Sequence, residues 1–353
     1  MQLFQCQACG QRLYFENVRC ERCGRALGYL TDVGVLSALE PDGAAWTAYA
    51  RPAGRYRFCR NWEQMGCNWM VDAAQEHTYC AACRHNRTIP DISLAENLIN
   101  WQKIEVAKRR LMYAILRFGL PHPTAASGDP EPLVFEFLAE VPGGPKVMTG
   151  HDNGVITIAL KEADDATREA ARASMGELYR TLLGHFRHEV GHYYWDKLVR
   201  DGGHLESYRA LFGDERADYG EAVQRHYRDG PPVDWREHYV SSYATMHPWE
   251  DWAETWAHYL HIVDTLEMAG AFGISITPTV GDDAGTQTRI SFDAYHAGDV
   301  QTLLDAWLPL TYAVNSLNRS MGQPDLYPFV IPPPVAIKLG YVHELVARAR
   351  GLG

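Results

Sequence analysis

All eight cysteines of this 353-residue chain lie between Cys6 and Cys83, and none falls in the 270 residues that follow. They read Cys6-x2-Cys9, Cys20-x2-Cys23, Cys59-x7-Cys67 and Cys80-x2-Cys83. A Cys-x2-Cys turn points two thiolates at one metal, and two such turns complete a tetrahedral four-cysteine zinc site. Gly10 and Gly24 follow the first two turns and suit their tight backbone. Cys59 and Cys67 lack that spacing, but they are the only thiols left to partner Cys80 and Cys83. A disulfide pair or free buried thiols are the alternatives, and a reducing compartment disfavours the disulfide. The pattern predicts a small β-rich zinc-ribbon domain over residues 1–90, held by two closed zinc sites that do no chemistry.

Charge divides the chain in the same place. Residues 1–90 carry ten Arg, no Lys and eight Asp plus Glu, whereas the whole chain has a net charge of −11. An acidic body argues against general nucleic-acid binding, which needs a basic face. No run of roughly eighteen apolar residues suggests a membrane span, and Met1 to Cys6 has no signal-peptide character. The expectation is a cytoplasmic protein. Within the head, Leu30 to Leu39 and Trp46 to Ala50 read as strands around the turn Pro41-Asp42-Gly43. Arg55, Arg57 and Arg60 with Tyr56, Phe58 and Trp62 form a basic-aromatic patch. It offers either a face for nucleic acid or a protein partner, or arginines that solvate a small sheet.

The body, residues 91–353, reads as mainly helical. Ser93-x-x-Glu96 is a capping box that opens a helix to about Phe118, with a stripe of Leu94, Leu98, Trp101, Ile104, Leu111 and Ile115. Strands follow at Leu133 to Glu140, Lys146 to Thr149 and Val155 to Leu160, the last after the hairpin signal Asp152-Asn153-Gly154. They predict a small antiparallel sheet, with Gly154 to Leu160 as an edge able to hold an extended peptide. A helix from about Asp165 to Val199 is expected next, buried through Met175, Leu178, Leu182, Phe186, Val190, Tyr193 and Leu198. Its glycines Gly184 and Gly191 imply close packing or room for a ligand. Pro324 to Pro334 reads as an extended segment before a last helix, Val335 to Arg350.

That long helix carries His188-Glu189-Val190-Gly191-His192. Two histidines four apart share a helix face and can grip one metal, and the Glu beside them can hold and deprotonate a water. A third ligand is needed. The extension that would supply a third histidine fails, because Trp195 and Leu198 stand where Gly and His belong. Gly213 to Gly220 offers Asp214, Glu215 and Asp218, but Arg216 occupies the register an aspartate ligand would need. Pro248 begins a helix with an apolar stripe of Trp252, Trp256, Tyr259 and Leu260, and Glu250 and Glu254 share its first turns. Acids on a tryptophan-rich helix are poorly explained as a solvated face. Glu250 is the expected third ligand, with Glu254 or Asp251 as acceptor for a ligand histidine. His258 and His261, three apart on the same helix, have no matching acids or thiols and read as packing residues.

Taken together, these motifs resemble the bacterial zinc-binding metallopeptidases that carry an N-terminal zinc ribbon, a family long treated as a domain of unknown function. The resemblance spans nearly the whole chain, including Arg180 to Glu189 and Asn315 to Gly322. It implies an α+β protein, in which a mainly helical, zincin-like catalytic domain of gluzincin type follows the ribbon. The Glu250-x-x-Ala253-Glu254 helix also looks like that of lethal-factor-type gluzincins, where a tyrosine about two turns before the glutamate stabilises the tetrahedral intermediate. That similarity points to Tyr243, with His247 and Tyr239 as alternatives. The expected function is zinc-dependent peptide hydrolysis with Glu189 as general base, one catalytic zinc and two structural zincs. A zinc-ribbon module that binds protein or nucleic acid with an inactive zincin-like body, or an interaction scaffold, are the competing readings.

Overall fold

The computed structural model describes residues 2–175, 180–281 and 284–350. The chain is α+β, with a β-rich N-terminal region followed by a mostly helical one. Its backbone gathers into two compact units. The first comprises Met1–Tyr113, Pro123–Gly150 and Val155–Asp164; the second comprises Ala114–His122, His151–Gly154 and Asp165–Gly353.

In the first unit, β1 (Phe4–Gln5) and β2 (Arg12–Leu13) form a short antiparallel ribbon around the Cys6/Cys9 turn. An antiparallel meander follows: β3 (Leu27–Leu30), β4 (Val35–Asp42), β5 (Ala45–Ala48), β6 (Arg51–Phe58) and β7 (Met70–Asp72). The expected single strand from Leu30 to Leu39 is therefore two strands, broken by a turn in which Gly34 adopts φ 66°. Leu30, Leu39, Ala48, Tyr56 and Met70 make the core of this meander. The basic-aromatic patch is largely consumed internally. Tyr56 is buried and donates to Asp32, Arg55 pairs with Asp42, Arg57 donates to Gln75 O, and Phe58 stacks on Trp62.

Helix α1 spans Ala95–Phe118, with Trp101, Ile104, Leu111 and Ile115 buried as the stripe predicts. Leu94 is exposed instead, and the Ser93 hydroxyl donates to Asp91.

The second sheet departs from expectation. Strands β8 (Asn86–Thr88), β9 (Val134–Leu138), β10 (Gly150–Asp152) and β11 (Val155–Ala159) are ordered β10-β11-β9-β8. Both β8–β9 and β9–β11 pair in parallel, so the sheet is not the antiparallel one expected. Lys146 to Thr149 is not a strand. The hairpin at Asn153-Gly154 is present, with φ 46° and 83°, the double positive φ that a tight two-residue turn needs. Strand β11 lies between β10 and β9, so its backbone groups are already paired and it is no edge for a peptide.

The second unit is a helical assembly around α6. Its helices are α2 (Asp165–Met175), α3 (Leu182–Tyr194), α4 (Leu205–Phe212), α5 (Tyr219–Asp229), α6 (Pro248–Ala271), α7 (Val300–Ser320) and α8 (Pro333–Ala349). The single helix expected from Asp165 to Val199 is interrupted. Thr181 is extended (φ −126°, ψ 154°) and caps α3 by accepting a hydrogen bond from Gly184 N. A cap starts a new helix because its side chain satisfies an orphan backbone donor. Leu178, assigned above to the apolar stripe, lies outside the described residues.

Trp252, Trp256, Tyr259 and Leu260 of α6 are all buried. Gly191 explains how closely α3 approaches: a Cβ there would lie 3.1 Å from Ala253 Cα. The indole of Trp252 donates to Gly191 O at 2.8 Å and ties the same crossing. Asp251 and Lys338 form a buried ion pair at 2.6 Å between α6 and α8. Among the described residues, no helix is long and apolar enough to cross a membrane.

Candidate metal centre

The α3–α6 crossing brings together residues 58 positions apart in sequence. His188 and His192 lie one turn apart on α3, their ring centroids 4.9 Å from each other. Pro248 starts α6, so Glu250 sits in its first turn, and only 2% of its surface is exposed. One ligand atom from each of His188, His192 and Glu250 lies within 4.8 Å of the others.

The individual separations are informative. His188 Nε2 is 2.9 Å from Glu250 Oε2, His192 Nε2 is 3.5 Å from the same oxygen, and the two Nε2 atoms are 3.2 Å apart. Ligands bound tetrahedrally at about 2.0–2.1 Å stand about 3.3 Å from one another. Glu250 Oε2 is buried and makes no well-directed hydrogen bond despite its short distance to His188. Two imidazoles and a carboxylate aimed at one point are the donor set of a zinc site that leaves a position open.

Surrounding groups fix that aim. Glu254, one turn beyond Glu250, lies 2.7 Å from His188 Nδ1 and accepts from Ser241 Oγ at 2.6 Å. Such a carboxylate orients the ring and leaves Nε2 for the metal. Tyr219 OH donates to Glu250 Oε1 at 2.9 Å, leaving Oε2 to face the histidines. Burial disfavours the charged form of His188, but the Glu250 and Glu254 carboxylates outweigh it and raise its pKa well above the ordinary value. Burial likewise opposes ionised Glu250, and His192 and His188 hold its carboxyl well below the ordinary range.

Glu189 follows His188 on α3 and is half-buried. Tyr243 lies on the turn before α6, with its ring 5.8 Å from that of His188. Burial, and then the charge of Glu250, pushes its phenol far up, so it stays a proton donor. The alternatives are otherwise engaged. His247 caps α6 and faces Ala217 O, while Tyr239 lies beneath the Lys338 ammonium. Asp251 pairs with Lys338, so of the two expected acceptors Glu254 is the one that meets His188. His258 meets Tyr327 and His261 meets Arg187, so each is a packing residue.

Tyr219 was not among the expected site residues, because Gly213 to Gly220 offers candidate ligands only through its carboxylates. Those acids have partners of their own: Asp214 pairs with Arg216, Glu215 with Arg209, and Asp218 caps α5.

The cysteines gather as their spacing implies. Cys6, Cys9, Cys20 and Cys23 form one group, and Cys59, Cys67, Cys80 and Cys83 a second, fully buried one. All eight thiols are free. Sulfur pairs lie 3.7 Å (Cys6–Cys23), 3.6 Å (Cys9–Cys20) and 3.6 Å (Cys67–Cys80) apart. Tetrahedral zinc–sulfur bonds of about 2.3 Å place sulfurs about 3.8 Å apart, whereas a disulfide needs about 2.05 Å. Beside the second group, Lys108 Nζ lies 4.0 Å from Cys83 Sγ and is wholly buried with Glu105.

Comparison with known proteins gives a consistent result. The family model described as "Putative zinc-binding metallo-peptidase" matches residues 97–345, and a zinc-ribbon domain model matches residues 3–94. Uncharacterized proteins of Mycobacterium tuberculosis and Mycobacterium bovis are each 41% identical over 347 residues, covering 98% of this chain and 95% of theirs. No solved structure matches. With most of its length matched by that model, this chain belongs to the zinc-binding metallo-peptidase family.

Proposed function

We propose that the protein is a zinc-dependent peptidase, with residues 1–90 as a zinc-ribbon domain and residues 91–353 as the catalytic domain. The observation that carries this reading is the convergence of His188, His192 and Glu250, with the flanking Glu254 holding His188. These three residues hold the catalytic zinc, and the two cysteine groups hold structural zincs. Zinc at the three-residue centre supplies Lewis acidity and lowers the pKa of water towards about 7.

The chain's own groups do the rest. Glu189 accepts the proton of the attacking water on a carboxylate oxygen and passes it to the leaving amine nitrogen. Tyr243 keeps its phenolic proton and donates a hydrogen bond to the developing oxyanion. Glu254 and Tyr219 hold the ligands in position and take no part in proton transfer.

An unbiased peptide-library digest with the full chain and its Glu189→Gln variant tests this. The wild type should cleave, and Glu189→Gln should keep all its zinc while losing turnover. Equal cleavage by the variant would remove Glu189 from its role. Intact peptides with a fully zinc-loaded wild type would favour an inactive, zincin-like binding module.

A further inference from the structure

The helix that carries His188 and His192 runs past Tyr194 as a π-helical turn, Trp195–Arg200. Such turns are rare and concentrate at functional sites. This one places Trp195, Asp196 and Arg200 on the wall of a cavity of about 320 Å³. The hairpin tip His151–Asn153, Glu215 and Trp249 complete the lining.

Two walls of the cavity lie against the metal centre. The Trp249 ring is 4.4 Å from that of His192, and the His151 ring is near-parallel to His192 at 6.3 Å. The cavity therefore neighbours His192 through these two rings.

The chemistry of the lining selects that side chain. Asp152, Asp196 and Glu215 line it together with one guanidinium, Arg200. Arg200 pairs with Asp196 and with Asp201, each at 2.8 Å, and Glu215 pairs with Arg209 at 2.9 Å. Among the described residues, the lining itself holds three carboxylates and one guanidinium. His151 accepts the Gly154 N–H at Nε2, which makes it a neutral ring. Trp195 and Trp249 sit 6.0 Å apart, edge to face. Carboxylates beside indole rings favour a long cation, whose stem packs on the rings while its head meets the acids. An acidic side chain is repelled, and an apolar one would desolvate charge without replacing it.

We infer that this cavity is a specificity pocket that takes a lysine or arginine side chain beside the scissile bond. The inference rests on the peptidase reading above.

The test uses full-length, zinc-loaded Glu189→Gln protein, which should hold a peptide without cutting it. A dye-labelled octapeptide is scanned with a single Lys, or a single norleucine, at each position in turn, and binding is read by fluorescence anisotropy. At one position Lys should bind about tenfold more tightly than norleucine. Adding Glu215→Gln, or Asp152→Asn on the exposed hairpin tip, should reduce that ratio about threefold and leave the norleucine peptide unchanged. Asp152→Asn alone suffices if loss of the Glu215–Arg209 pair impairs folding. Equal binding of Lys and norleucine at every position overturns the pocket, as does a Lys preference that neither substitution alters. Failure of every peptide to bind overturns the peptidase reading itself.

Discussion

Replacing Glu254 with glutamine tests how the metal centre is built. The carboxylate accepts from His188 Nδ1 at 2.7 Å and from Ser241 Oγ at 2.6 Å, and Ser241 Oγ in turn accepts from Ala244 N at 3.1 Å. Glutamine keeps the volume and still offers one oxygen to His188, so the change removes charge and leaves shape. A hydrogen bond to a charged group contributes about 1.5–3 kcal/mol, and a neutral one about 0.5–1.5. The difference, about 1.4 kcal/mol, is tenfold in affinity, at the low end of the 10–100-fold range typical for such acceptors. Chelator competition on the full chain, with native mass spectrometry to count ions, should show three zincs in the wild type, one for each ligand group. In Glu254→Gln one zinc should leave at about tenfold less chelator, while the two cysteine-bound ions are unaffected. Release at the wild-type chelator concentration would refute the orienting role. Selective loss of a cysteine-bound zinc would refute the site assignment.

Three further substitutions probe the scaffold. Gly191→Val places side-chain carbons against the Ala253 backbone and Trp256, and should destabilise by about 3 kcal/mol, read from urea midpoints. Lys338→Met leaves Asp251 buried without its partner, at a cost of about 3–5 kcal/mol; the double variant with Asp251→Asn should recover most of it. Thr181→Ala removes the α3 cap and about 1 kcal/mol, with faster hydrogen exchange at Gly184 N as the local signature. Unchanged exchange there would mean that the cap does not secure the start of α3.

The parts of the site that the sequence revealed are those encoded locally. Cys-x2-Cys turns and an i, i+4 histidine pair set ligand geometry within one turn of backbone, so spacing alone exposes them. Glu250 was visible because an acid in the first turn of a tryptophan-rich helix conflicts with its surroundings. Tyr219 was not, because a tyrosine 31 residues before Glu250 carries no spacing signal. Strand direction was misread for a related reason: alternation marks which face is buried, and it is silent on whether neighbours run parallel. The apolar stripe of α2 and α3 likewise hid Thr181, since periodicity can persist across a break whose cause is a single capping hydroxyl. Helix α7 went unassigned, and Pro309 within it breaks the usual helical pattern.

By itself, the sequence determined two cysteine groups in the head, the paired histidines and their glutamate, and a carboxylate helix downstream. Tertiary structure decided what those elements do together. Gly191 lets α3 and α6 approach closely, and that approach converts separate motifs into one convergent centre. The same packing selected Glu254 as the acceptor for His188 and gave Asp251 to Lys338. It also placed a tryptophan-walled cavity against His192. These outcomes depend on distances between residues far apart in the chain, which local propensity does not encode.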